Sequence, residues 1–214
     1  ILMPGVVHMR HTHLPEHKFV KGQPETGAEL ADDLERIAMN FGSENIAACI
    51  VEPISGSTGT LVPPKGYLNR LREICDKHEI LLIFDEVITG WGRTGSSFAS
   101  KEYGVTPDLI TMAKATTNGI VPMGVVAVRE EIYDTIVNAS PDGVIELFHG
   151  YTYSGIPVAV AAALAVQDIF EKEDIFNRAK NLSPYFLDGL FSLKDIDCVE
   201  NIRGYGLMGG IDIK

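Results

Sequence analysis

Three sets of polar residues stand directly behind apolar runs. They are Glu52 after the run ending at Val51, Asp85 and Glu86 after Ile80-Leu81-Leu82-Ile83-Phe84, and Lys114 after Leu109-Ile110-Thr111-Met112. In open α/β sheets ligands sit at the carboxyl ends of strands, so these positions carry weight as site candidates. An ionised carboxylate behind five apolar residues is costly to bury without a cation or strong donors, and Asp85 therefore calls for a positive partner. The ordinary alternative is a strand-end aspartate that caps the next turn or pairs with Arg93. Lys114, 29 residues further on, stands among Ala113, Ala115 and Thr116. A lysine among small residues at the end of a buried strand is poorly hydrated, and desolvation drives it toward the free amine that attacks a carbonyl. Taken alone it is more often a lysine that snorkels to solvent.

Together, an aspartate at one strand end and a lysine at another suit pyridoxal 5'-phosphate. Its aldehyde needs an amine, and its pyridine nitrogen needs a carboxylate to stay protonated as an electron sink. Such pairs are common in α/β enzymes, so the two residues alone leave this as one hypothesis.

The elements that must position them alternate along the chain. Residues 4–25 hold three prolines and four histidines without periodicity and read as an irregular surface segment. From Gly27, Ala28, Leu30, Ala31, Leu34, Ile37, Ala38 and Phe41 recur at helical spacing, with acidic residues toward the N-terminus and Gly42 as the stop. Residues 46–51 read as a short strand and 55–60 as a loop. A second helix carries Tyr67, Leu68, Leu71, Ile74 and Cys75 on one face. The run 80–84 is apolar on both faces, as a central parallel strand requires. Strands at 109–112 and 125–128 and helices near 130–137, 157–172 and 175–192 complete a three-layer α/β pattern. Residues 198–202 and 207–213, around Gly204-Tyr205-Gly206, read as a β-hairpin opening a second domain.

Composition bounds the function classes. The 214 residues are 45% hydrophobic, enough for a real core, and 18 basic against 29 acidic residues leave a net charge of −11 with no basic patch for nucleic acid. Even the longest apolar run, 158–166, is far short of the roughly 20 residues of a membrane helix. Cys49, Cys75 and Cys198 form no CxxC pair, which favours a reducing, cytoplasmic setting. His8, His11, His13 and His17 lack the second pair or carboxylate that would close a metal site, so no metal is expected. Both ends read as cut, the last residues falling inside a strand.

The stretch Ile83-Phe84-Asp85-Glu86-Val87-Ile88-Thr89-Gly90-Trp91-Gly92-Arg93-Thr94-Gly95 leads into Thr106-Pro107-Asp108-Leu109. Ala113-Lys114, Thr117-Asn118-Gly119 and Pro122-Met123-Gly124 then follow in order. This block resembles the signature of the class III pyridoxal-phosphate aminotransferases. The resemblance runs from about Val51 through Pro64-Lys65-Gly66-Tyr67-Leu68 to His149-Gly150-Tyr151-Thr152-Tyr153-Ser154 and Arg203-Gly204, most of the chain. It implies the large domain of a fold type I transferase, with a mostly parallel sheet, over residues 1–155. Connecting helices would span 156–193, and a C-terminal α+β domain would begin at 194–214.

By the same resemblance Lys114 is the Schiff-base lysine and the proton shuttle between Cα and C4′ of the coenzyme. Asp85 pairs with the pyridine nitrogen, and Val87 packs on a face of the ring. Thr152 matches a threonine that reaches across a homodimer, or a tetramer of such dimers, to the phosphate in the other subunit; the ordinary alternative is a cap on the helix at 157. Glu52 matches a glutamate near the coenzyme, with a purely structural ion pair equally open. Arg203 is left outside the site, as a surface or domain contact.

Departures from the family pattern are informative. Ser57 stands where relatives acting on ornithine or 4-aminobutyrate carry a second glutamate, Ile156 stands where histidine is common, and Ala115-Thr116 stand where Gly-Leu is usual. Together with Val62-Pro63-Pro64-Lys65 and Arg70-Leu71-Arg72-Glu73-Ile74-Cys75, the Ser57 loop resembles the ω-amino acid:pyruvate, or β-alanine:pyruvate, branch. The implied reaction passes an amino group from a β-alanine-like donor to pyruvate or a similar keto acid. The competing readings are an aminomutase, racemase or decarboxylase of the same fold, or a non-catalytic fragment. Family chains are about twice this length, and the phosphate loop, the stacking aromatic and the carboxylate-binding arginine are expected outside these residues. The chain is not expected to turn over alone.

Overall fold

The computed structural model of the chain describes residues 3–214. After an irregular opening segment and a 3-10 turn at Ala28–Ala31, the chain enters helix α1 (Asp32–Phe41). Asp32, Asp33 and Glu35 occupy its first turn, where the helix dipole favours negative charge, and Gly42, at φ 79°, ends it. Strand β1 (Ala48–Val51) follows, then helix α2 (Tyr67–His78) and strand β2 (Leu81–Asp85). A short helix α3 (Ala99–Tyr103) leads to β3 (Leu109–Met112) and β4 (Val125–Val128). Then come α4 (Glu130–Ala139), α5 (Pro157–Lys172), α6 (Ile175–Phe191) and the strands β5 (Val199–Tyr205) and β6 (Met208–Ile213).

The strands form a four-stranded sheet in the order β1-β2-β3-β4 and a separate hairpin of β5 and β6. β1 and β2 pair in parallel, as do β2 and β3, whereas β4 runs antiparallel to β3. The expected mixed, mostly parallel sheet is therefore present, with β2 one residue later than the apolar run and β1 two residues later. The hairpin differs more. β5 continues through Gly204 and Tyr205, which pair with Gly209 and Met208, so the turn is Gly206-Leu207 rather than a loop centred on Tyr205.

One face of the sheet is the core. Cys49, Leu82 and Phe84 point to it and meet Leu34 and Ala38 of α1 and Leu71, Ile74 and Cys75 of α2. Each fully buried aliphatic or aromatic side chain here contributes roughly 1.5–3 kcal/mol relative to exposure. The other face differs from the expectation of a strand covered on both sides. Register places Ala48, Ile50, Leu81, Ile83 and Asp85 together, and Ile50 and Val126 there are 63% and 61% exposed. Among the described residues, helices α1 and α2 cover one face of β1 and β2, and the other is the more open one.

Candidate active site

Because β1, β2 and β3 are parallel, their carboxyl ends share one edge, and the chain leaves that edge at Glu52, at Asp85 and Glu86, and just before Lys114. Beyond Met112 the backbone extends at Ala113 and closes a 3-10 turn over Lys114–Thr116. Lys114 sits in the left-handed region at φ 42°, unusual for a residue with a Cβ. The turn is knit by Thr116 N–H to Ala113 O at 2.9 Å and Gly119 N–H to Lys114 O at 3.2 Å. The Thr117 hydroxyl donates to Val121 O at 2.5 Å.

Lys114 faces a cleft of about 720 Å³ that Val87, Ser57, Arg93, Asn118 and Phe186 also line. Its side chain is exposed, not desolvated as expected. The small residues beside it that suggested burial instead leave it open to the cleft.

Asp85 closes β2 opposite Thr111, three residues before Lys114 on the neighbouring strand. Its Oδ1 accepts the Val87 N–H at 3.0 Å. The expected positive partner is absent: among the described residues Asp85 makes no ion pair and Oδ2 receives no protein donor. Of the ordinary alternatives, the Val87 hydrogen bond is the cap on the next turn, whereas Arg93 lies on the cleft and makes no pair with Asp85. The structure thus brings Lys114 and Val87 to one cleft, with Asp85 joined to Val87 by a backbone hydrogen bond.

Thr152 is not brought to this cleft. It lies in an exposed stretch ahead of α5, and its hydroxyl reaches only Gly150 O, at 3.4 Å. The helix-cap alternative does not hold, since the residue at the N-cap of α5 is Ile156. Glu52 makes no ion pair among the described residues; its Oε2 accepts the Gly56 N–H at 2.9 Å and holds the start of the loop that carries Ser57.

Two residues outside the expected site organise it. Glu86, fully buried, accepts Ala99 N–H at 2.6 Å, Ser100 N–H at 2.8 Å and the Thr89 hydroxyl at 3.1 Å. This carboxylate closes the loop 87–98 onto the N-terminus of α3, a link with no local signal because donor and acceptor are 13 residues apart. Arg203, read as a surface or domain contact, is a buried contact between the hairpin and the loop at Gly59. It forms a bidentate pair with Asp212 at 2.5 and 2.8 Å and donates to Gly59 O at 2.8 Å. The hairpin register, which sets Asn201 opposite Asp212 and Arg203 opposite Gly210, was the available clue. A Cβ at Gly210 would stand 2.6 Å from Gly59 O, so only glycine lets the loop dock here. Asp212 lies below the ordinary carboxylate range because of its hydrogen bonds from Arg203.

A family model for class III aminotransferases matches residues 2–214. The chain belongs to the class III aminotransferases. Among curated members of that family, the omega-aminotransferase of Caulobacter vibrioides is 56% identical over all 214 residues, which cover 48% of its length. The beta-alanine–pyruvate aminotransferase of Pseudomonas aeruginosa is 51% identical over 97% of the chain and 47% of its own length. The chain therefore spans about half the length of the curated class III relatives it matches. An amine transaminase from an uncultivated Pseudomonas species, solved in its PLP-bound internal-aldimine form, matches 87% of the chain and 42% of its own. The TM-score is 0.80 at 42% identity. The sheet and its helices are thus an α/β fold of the type I class, and pyridoxal phosphate is the coenzyme of this family. Among the described residues no helix is long and apolar enough to cross a membrane.

Proposed function

We propose that the protein to which this chain belongs is a pyridoxal-phosphate aminotransferase. It would transfer an amino group from an ω-amino acid or amine, β-alanine-like, to pyruvate or a similar keto acid. The observation that carries the reading is the pairing of an accessible Lys114 amine, on the cleft that Val87 lines, with a half-buried Asp85 carboxylate that lacks a cation. The fit to the coenzyme is good: Asp85 Oδ2 has spare acceptor capacity for a protonated ring nitrogen, and Lys114 is free to meet an aldehyde. When bound, pyridoxal phosphate supplies that aldehyde and a ring that delocalises the electron pair left by proton removal.

This chain's residues would supply part of the rest. Lys114 would hold the coenzyme through Nζ, and the same Nζ would carry the proton between the amine-bearing carbon of the donor and C4′ of the coenzyme. Asp85, its carboxylate fixed by the Val87 N–H, would keep the ring nitrogen protonated, and the Val87 side chain would pack on the ring. Thr152, exposed and lightly held, would give its hydroxyl to the phosphate in the partner subunit of a homodimer, or of a tetramer built from such dimers. Ser57 on the cleft leaves the loop without a second carboxylate, which suits the β-alanine:pyruvate branch. Residues 1–155 would belong to the large domain and 156–193 to connecting helices, with 194–214 opening the small domain. Free thiols without a CxxC pair suit the cytoplasm.

Incubation of the full-length protein with β-alanine and pyruvate tests the reading. Alanine should form mole for mole with consumption of pyruvate. Conversion of the donor without a keto acid would instead identify an isomerase or a decarboxylase.

A further inference from the structure

Trp91 stands in the glycine-rich stretch after β2, itself left-handed at φ 67°. Its ring packs on Phe98, with centroids 4.9 Å apart, and on Phe170 of α5 at 5.9 Å. Its one polar atom, Nε1, donates to Thr116 Oγ1 at 3.0 Å. The same hydroxyl donates its proton to Ala113 O at 2.9 Å. Thr116 itself is buried, 3% exposed. A threonine hydroxyl carries one proton and can accept as well, so it relays a hydrogen bond from the indole to the carbonyl just ahead of Lys114.

That carbonyl and that threonine bracket Lys114, whose backbone is held at φ 42°. Such a conformation persists in a residue with a Cβ only where its surroundings over-determine it. The buried relay is a side-chain constraint on this turn additional to its own backbone hydrogen bonds, and it ties the turn to a ring wedged between Phe98 and α5.

We propose that Trp91 and Thr116 are positioning residues for Lys114. The relay from the indole N–H through the Thr116 hydroxyl to the Ala113 carbonyl holds the turn in its left-handed form and aims the amine into the cleft. The inference rests on the reading of Lys114 as the coenzyme lysine.

The test uses the full-length holoenzyme with Trp91→Phe, which keeps a stacking ring and deletes the N–H, and Thr116→Val, which keeps the volume and deletes the hydroxyl. The double variant and Thr116→Ser complete the set. Trp91→Phe and Thr116→Val should each lower kcat by about 10-fold, the upper range for one buried hydrogen bond, with KM for the donor within about twofold. The pH midpoint of the lysine-bound coenzyme's visible absorbance should move by ~0.5 unit, a readout that loss of stability alone does not shift. The double variant should be no worse than Thr116→Val, because both remove one relay, and Thr116→Ser should restore it. Should Thr116→Val fail to fold, Trp91→Phe alone carries the test.

An unchanged kcat and pH midpoint in Trp91→Phe, or additive losses in the double variant, would overturn the proposal. Borohydride reduction of the wild-type holoenzyme separates the two layers. A pyridoxyl group on another lysine overturns the reading of Lys114 and this inference with it, whereas a label on Lys114 with unaffected variants overturns the inference alone.

Discussion

Two aspartates stand at opposite ends of the sheet and live under opposite rules. Asp108, just ahead of β3, accepts the Leu82 N–H at 2.7 Å, Arg72 Nη1 at 2.8 Å and Arg129 Nη1 at 2.9 Å. Burial by itself would raise its pKa, but these donors outweigh it and hold the carboxyl below its ordinary range. Asp85, at the carboxyl end of β2, has the Val87 N–H on one oxygen and no cation. The first carboxylate is saturated by its own chain, linking β2, α2 and the end of β4. The second retains acceptor capacity at the edge of the sheet where α/β proteins bind ligands. Spare capacity at a half-buried carboxylate, more than the residue type, separates a ligand-facing aspartate from a structural one.

Removing the Lys114 amine from the cleft beside Val87 is the strongest challenge to this contrast. In the full-length protein Lys114→Ala should lower the transamination rate by ~10⁴-fold, the upper range for loss of a general acid–base group. A rate near wild type, followed as alanine formation, would remove Lys114 from the chemistry. Asp85→Asn should slow the proton-transfer step by ~10²-fold, the scale of one lost electrostatic partner at a developing charge, with the melting temperature nearly unchanged. A kinetic isotope effect on the donor C–H would report that step.

Asp108→Ala inverts the pattern. Taking the acceptor from the Leu82 N–H and from Arg72 should cost about 2 kcal/mol of stability in denaturant unfolding, the half-exposed Arg129 adding little, while the rate per folded molecule is kept. Thr152→Ala should weaken coenzyme affinity by roughly 10-fold, one hydrogen bond to a charged group, measured by titration of the apoenzyme. The mildest effect is on pH. Asp108 is depressed in the fold, so its contribution is complete above the unfolded carboxylate value near ~3.9 and is lost as pH falls through the lower folded value. The stability gap between wild type and Asp108→Asn should therefore be constant near neutrality and shrink below about pH 4.

Much of this contrast is legible in the sequence, for identifiable reasons. Helices α2, α5 and α6 follow their apolar periodicity closely, and parallel pairing of the apolar runs delivers Glu52, Asp85 and Lys114 to one edge. Local pattern does not report solvent access, so Lys114 proved exposed and Arg203 buried. Access depends on what packs from far along the chain, as Gly59 and Asp212 do on Arg203. The contacts of Glu86 and Trp91 are not legible in local pattern, because their partners, Ala99 and Thr116, lie 13 and 25 residues away with no periodic signal between them. Thr152 is visible only as part of a motif. Its one side-chain hydrogen bond among the described residues is to Gly150 O, two residues back.

The central claim is that Lys114 and Asp85 form one coenzyme site. It is tested most directly by borohydride reduction of the full-length protein loaded with pyridoxal phosphate, followed by peptide mapping, in wild type and in Asp85→Asn. The account predicts a single pyridoxyl group on Lys114 in the wild-type protein, and the same label in Asp85→Asn with weaker coenzyme retention. A label on a different lysine, or one scattered over the surface, would contradict it.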